Sequence, residues 1–481
     1  MRAFTLERTI IMFLDIIDKK KDLLTGVSDK VWEYAELSLQ EHKSAELYCK
    51  VLADEGFDVE TNVCGIKTAF KANFGNGRPV IGILAEYDAL SGLSQKAGIA
   101  YKEAVIPGGS GHGCGHNMLG AGALAAALAI KEYLKDKGSG TVILYGCPGE
   151  EGGAGKAFMA RDGEFRDLDA ALTWHPGDEN GVRTSTCNSS LQIEYTFHGV
   201  ASHAARPEYG RSALDAAELM NTGVQYLREH MPDTDRVHYA FTDAGGVSPN
   251  VVHPKASVLY MIRSHNVKNA QKLAERVDKI AQGAAMMTET AMGKRFIDGT
   301  ADIVTNFTLC KLLQEEFEKL GVPSYTDEET AFAKAIMDSY ENPEAGLPGK
   351  EYISDKASED YIREKSQDGA RPLNDFLMPY QPEERMTMGS TDVGDVSWLT
   401  PAAQISVVTA ASKAPGHSWQ NVSCGGSSIG HKGLLHAGKV LAAAAIRLYE
   451  EPELLKEARA EFEIRAKEGY TCPIPPEAKA E

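Results

Sequence analysis

The chain has 481 residues, 43% hydrophobic and 25% charged, with a formal charge of −18. This is ordinary globular composition, but too long for one core, so two or three domains are expected. The acidic balance argues against nucleic acid and anionic membrane as partners, and an acidic substrate would need a local cationic pocket.

In chain order, the first apolar run is short and broken by Asp15 and Asp18, which predicts neither a signal peptide nor a membrane span. Val31 to Leu52 carries apolar residues at helical spacing, with Gly56 just past its end. Thr68–Phe74 and Pro79–Leu84, joined through Gly75-Asn-Gly77, read as a hairpin whose second strand is apolar throughout, as in a buried central strand. That strand runs into Glu86-Tyr-Asp88, two carboxylates at the edge where open α/β sheets place their sites. Next comes Ser110-Gly-His-Gly-Cys114-Gly-His116-Asn, a glycine turn opening a helix of strong helix formers to Ile130. A thiol and an imidazole at a helix mouth suit a borderline-soft divalent metal.

The strand Thr141–Cys147 delivers Pro148-Gly-Glu150-Glu151, and Ala170–Trp174 delivers His175. Adjacent glutamates at a strand exit point different ways, so one can bind metal while the other faces a water. Asp88, Glu150, Glu151 and His175 thus leave successive strands at one edge, with Cys114 and His116 between them. That constellation predicts a metal site. Two look-alikes fail: the glycine-rich run before Lys156 misplaces the first glycine of a phosphate loop and has Ala157 for its hydroxyl, and no Gly-x-Ser-x-Gly elbow occurs. Eight cysteines without a Cys-x-x-Cys pair fit reduced thiols in a cytoplasmic protein.

From Ser189 the pattern changes to an alternating strand, a helix over 212–229, strands near 237–241 and 256–262, a helix over 269–287 and a strand near 294–297. This compact β-α-β-β-α-β unit carries His203, Asn250 and Arg263 in or beside its joints. Helical pattern resumes near Thr305, so the unit reads as an insertion. The organisation expected is 1–188 as the first part of a larger domain, 189–303 inserted, and 304–481 as the second part. Residues 341–384 have little periodicity and read as a surface insertion. Asp392 and Asp395 then precede an apolar strand over 404–408, followed by Pro415-Gly-His417 and terminal helices.

His112-Gly-Cys-Gly-His116-Asn, Pro148-Gly-Glu-Glu151, Trp174-His175-Pro, Ser202-His203-Ala, Ser248-Pro-Asn250, Arg263-Ser and Gly416-His417-Ser come in that order. The set resembles the M20-type metallopeptidases, in their branch of amidohydrolases that cleave N-acyl amino acids. Glu86 stands where many members carry a metal-binding histidine, which fits the branch with a cysteine ligand. The resemblance implies an α/β fold: a di-metal hydrolase domain with a mostly parallel central sheet, plus an inserted α+β dimerisation and lid domain. It implies two divalent ions (Zn or Mn) held by Cys114, His116, Glu151, His175 and His417, with Cys114 shared. Glu150 would be the general base and Asp88 an orienter of the site. His203, Asn250 and Arg263 would face the substrate, with His203 reaching the partner's site. The expected substrate is a small N-acyl amino acid (one releasing glutamate, for example) or a dipeptide, and the partner is an identical or related subunit. A non-catalytic supporting subunit is the alternative of a different class; the intact Glu150–Glu151 pair speaks against it.

Overall fold

The computed structural model describes residues 2–343 and 345–480. Its fold is α/β. A seven-stranded sheet runs in the order Asp58–Thr61, Phe70–Asn76, Gly140–Gly146, Val80–Ala85, Ala170–Gly177, Ala402–Val408, Gly181–Arg183. The four strands Gly140–Gly146, Val80–Ala85, Ala170–Gly177 and Ala402–Val408 are mutually parallel, and the outer ones pair antiparallel. Strands covered on both faces need continuous apolar sequence, and Ile81, Ile83, Leu144, Leu172, Ile405 and Val407 are all buried.

The expected hairpin is not formed. Phe70–Asn76 and Val80–Ala85 are both strands, but Gly140–Gly146 lies between them, antiparallel to the first and parallel to the second. An apolar strand buried on both faces gains most at the sheet centre, where it has neighbours on either side, so the Gly75–Gly77 turn links non-adjacent strands. The long helix expected over Val31–Leu52 is also divided. One helix ends at Tyr34 with Ala35 in the left-handed region, and the next spans His42–Asp54. Glu36, between the two, accepts from Lys43 N, Ser44 N and Ser44 Oγ, satisfying free donors of that second helix.

Beyond the central sheet, Ser189–His198, Arg236–Asp243, Lys255–Ser264 and Ala291–Thr300 form a separate antiparallel sheet. The helices Ala213–Arg228 and Val267–Thr288 pack on it around an apolar cluster that includes Tyr195, Tyr260, Val224 and Val277. Residues 341–384 include a helix, Lys356–Lys365, and a small apolar cluster of Leu347, Ile362, Phe376 and Met378. Among the described residues no helix is long and apolar enough to cross a membrane.

Candidate metal centre

The helix His116–Lys137 is buried along nearly its whole first four turns, and its entry turn presents the first two donors. Gly115 takes φ 81°, and a Cβ there would lie 2.8 Å from both Met118 Cε and Pro176 Cβ, so only glycine turns the chain here. Gly113 admits the backbone of His417, whose Cα would be 3.2 Å from a Cβ on it. These two close approaches bring the helix mouth, the strand carrying His175 and the His417 loop together.

Cys114 Sγ lies 3.4 Å from His175 Nε2. His116 Nδ1 is held at 2.8 Å by Asp88 Oδ1, which leaves Nε2 facing the cluster. Asp88 Oδ2 accepts from Glu151 N at 2.9 Å and from Ser38 Oγ at 2.8 Å. His417, in the left-handed region at φ 51°, places Nε2 3.4 Å from Glu151 Oε2. Two donor groups result, Cys114–His116–His175 and Cys114–Glu151–His417, each with its ligand atoms within 4.8 Å of one another and with Cys114 common to both. A third group, Glu86–His116–Glu150, adjoins them.

The electrostatics are those of a cation site. His116 Nε2 and Glu151 Oε1 are buried without a hydrogen-bond partner. Burial opposes charge on His116, but Cys114 and Asp88 outweigh it and raise its pKa well above the ordinary histidine range. A cation placed there meets the same field. Burial, then the charges of Glu86 and Glu151, push the Glu150 carboxyl well up. Burial lowers His175 to about 4, leaving a neutral imidazole. The soft and borderline donor set, the unpartnered atoms and the surplus of carboxylates fit two divalent ions.

One ionic group beside this centre is not evident from sequence. Lys156 Nζ bridges Glu86 Oε1 at 2.7 Å and Asp392 Oδ1 at 2.5 Å, all three groups buried. Glu86 Oε2 in turn lies 3.3 Å from His116 Nε2. The glycine-rich stretch before Lys156 is thus no phosphate loop; it delivers a buried ammonium beside the donors.

His203, Asn250 and Arg263 lie apart from this cluster. His203 and Asn250 are exposed and adjacent: Val251 pairs with His203, and Asn250 O accepts from Ala204 N. Among the described residues neither is hydrogen-bonded or ion-paired to a cluster member. Arg263 lies on Lys255–Ser264, with Nη1 3.4 Å from Met388 O and Nε buried without a partner.

An α/β sheet with donors gathered at its edge, joined to a small α+β unit, defines a metallohydrolase of the M20 class. The chain belongs to peptidase family M20/M25/M40, whose model matches residues 82–360. It is 43% identical over 475 residues to a p-aminobenzoyl-glutamate hydrolase subunit of Escherichia coli (strain K12), covering 96% of each chain. It is 27% identical over 471 residues to the Xaa-Arg dipeptidase of Mus musculus, covering 94% of this chain and 91% of that one. The fold is similar to that of a dinuclear metal binding peptidase of the M20 family from Bacillus subtilis, with a TM-score of 0.53 at 16% identity over 90% of this chain and 99% of that one.

Proposed function

We propose that this protein is a metal-dependent amidohydrolase that cleaves the amide bond of N-acyl amino acids, p-aminobenzoyl-glutamate among them. The observation that carries the proposal is the pair of donor groups sharing Cys114 beside a largely enclosed Glu150 whose carboxyl is pushed up. Cys114, His116 and His175 would hold one divalent ion, Zn or Mn, and Cys114, Glu151 and His417 the other. Such ions lower the pKa of a water and polarise a carbonyl. Glu150 takes the proton of the attacking water and returns it to the leaving nitrogen, a task for which a carboxyl raised by burial is suited. Asp88 fixes the His116 tautomer so that Nε2 faces the site. His203 and Asn250 would donate to the developing oxyanion, and Arg263 would hold a substrate carboxylate.

The same reading divides the chain into a catalytic unit, 1–188 and 304–481, and a dimerisation unit, 189–303. The partner is an identical chain or a related subunit, and the setting is cytoplasmic, where Cys114 stays reduced. A dipeptidase is the second reading, supported by the similarity to the Xaa-Arg dipeptidase. The test is turnover of N-acyl amino acids against dipeptides by Zn- or Mn-loaded protein, with Glu150→Gln alongside. Glu150→Gln should lower kcat by at least ~10²–10⁴-fold, the range for a general base, with metal content unchanged. Full activity in that variant would remove Glu150 from the mechanism, and turnover of dipeptides alone would favour the second reading.

A further inference from the structure

Arg183 ends the edge strand Gly181–Arg183, opposite Gln404. Its guanidinium lies over the Tyr352 ring, 4.2 Å from the centroid, and Nη2 is 3.4 Å from Ser406 Oγ. Among the described residues no carboxylate forms an ion pair with it; Glu179, Glu351 and Asp178 act on it only at longer range. Arg447, by contrast, pairs with Glu315, Glu316 and Glu451. Burial opposes the charge of this half-buried guanidinium, but Tyr352, Glu179, Glu351 and Asp178 outweigh it and hold its pKa above the usual arginine value, so Arg183 stays a cation with no carboxylate in direct contact among the described residues.

Its position relates that cation to the substrate. Arg183 lines three cavities, a small one of about 30 Å³ beside Glu179 and Tyr352 and two larger ones that meet at His175. One, about 250 Å³, lies over Cys114, His175 and His417. The other, about 180 Å³, runs from Glu150 and His175 past Thr391 to Tyr352. Arg183 thus stands on the wall of both cavities that adjoin Glu150 and the donor cluster, within the space open to groups flanking a bound amide. Tyr352 comes from the 341–384 stretch, which gives that insertion a place in the site.

We propose that Arg183, backed by Tyr352, is an anion subsite for a second carboxylate of the substrate, so that the enzyme favours amides of dicarboxylic amino acids. This rests on the amidohydrolase reading above. A guanidinium matches a carboxylate with two parallel hydrogen bonds, and stacking on an aromatic ring holds its plane in place. Arg263, which reaches Met388 O beside the cavity wall, is the separate cation for the α-carboxylate.

The test compares p-aminobenzoyl-glutamate with p-aminobenzoyl-glutamine, which differ only in the side-chain carboxylate, using the metal-loaded enzyme. Arg183→Met should lower kcat/KM for the glutamate substrate by roughly 10–100-fold, the worth of a charged hydrogen bond, and for the glutamine analogue by less than about 3-fold on the same grounds. Arg183→Lys should keep part of the preference. Equal losses on both substrates, or an unchanged ratio, would overturn the proposal. Calorimetric titration of free glutamate and glutamine is the parallel arm, with glutamate binding expected to weaken selectively in Arg183→Met. If the wild type cleaves neither amide, the amidohydrolase reading fails, and titration alone decides the subsite: glutamate bound no better than glutamine overturns it. If Arg183→Met does not fold, Arg183→Lys and Tyr352→Leu carry the test, and an unchanged substrate ratio in both overturns it.

Discussion

At the residue scale, charge balance around the donors depends on Lys156. Its ammonium is the buried cation between Glu86 and Asp392, and Asp392 Oδ2 also accepts from Lys156 N at 2.9 Å. Removing one partner of a buried ionic group leaves the others uncompensated, so Lys156→Met is expected to cost ~3–5 kcal/mol of stability. Denaturant unfolding measures this, and a loss below about 1 kcal/mol, the scale of an exposed pair, would mean that the triad is not what neutralises Glu86. Lys156 also pairs with Glu86 of the third donor group, so the proposed two-ion reading assigns metal to the other two groups only. Cys114, His116, Glu150, Glu151 and His175 are legible in the sequence because each follows a strand or opens a helix. Lys156 is not, since its partner Asp392 is 236 residues away and nothing local announces a buried ammonium.

At the scale of elements, period and apolar content were enough to identify the strands and helices of the inserted unit to within a few residues. They were not enough to place neighbours: the Phe70–Asn76 and Val80–Ala85 strands are both present, yet Gly140–Gly146 separates them. Which strand occupies the centre is a competition among all apolar strands, and a local turn does not decide it. The short helix Val393–Ser397 shows a related long-range dependence. Asp395 Oδ1 accepts from Tyr470 Oη at 2.7 Å and Oδ2 from Ala301 N at 3.0 Å. Burial raises the Asp395 carboxyl to about 8 despite those bonds. In the unfolded chain the carboxyl ionises near its ordinary 3.8, so between pH 4 and 8 the folded protein binds more protons and stability falls as pH rises. Asp395→Asn removes this dependence. The stability of the variant relative to wild type should therefore rise with pH across that window, by up to about 1.4 kcal/mol per unit. Unfolding curves at pH 5, 6 and 7 test it; a pH-independent difference would show that Asp395 is ionised in the fold.

At the scale of the whole molecule, His203 and Asn250 are exposed on the inserted unit, with no hydrogen bond to the donors of their own chain among the described residues. On the same unit Tyr226, Met286 and Met287 are 76%, 81% and 67% exposed, apolar side chains available to a partner. If a two-fold partner completes each site, Glu150→Gln and His203→Ala should each be nearly inactive, while their mixture recovers activity. Random exchange makes about half the dimers mixed, each with one intact site, so about a quarter of wild-type activity should return. No recovery, with exchange confirmed by mass, would confine His203 to its own chain.

Whether this protein holds two divalent ions through a shared Cys114 is tested most directly by anomalous diffraction from Zn-loaded crystals, recorded above and below the metal edge. Two peaks are expected to flank the Cys114 sulfur, one beside His116 and His175 and the other beside Glu151 and His417, with no peak at Glu86. A single peak, a pair that leaves Cys114 uncoordinated, or an ion bound at Glu86 in place of Lys156 would contradict the shared-thiolate site.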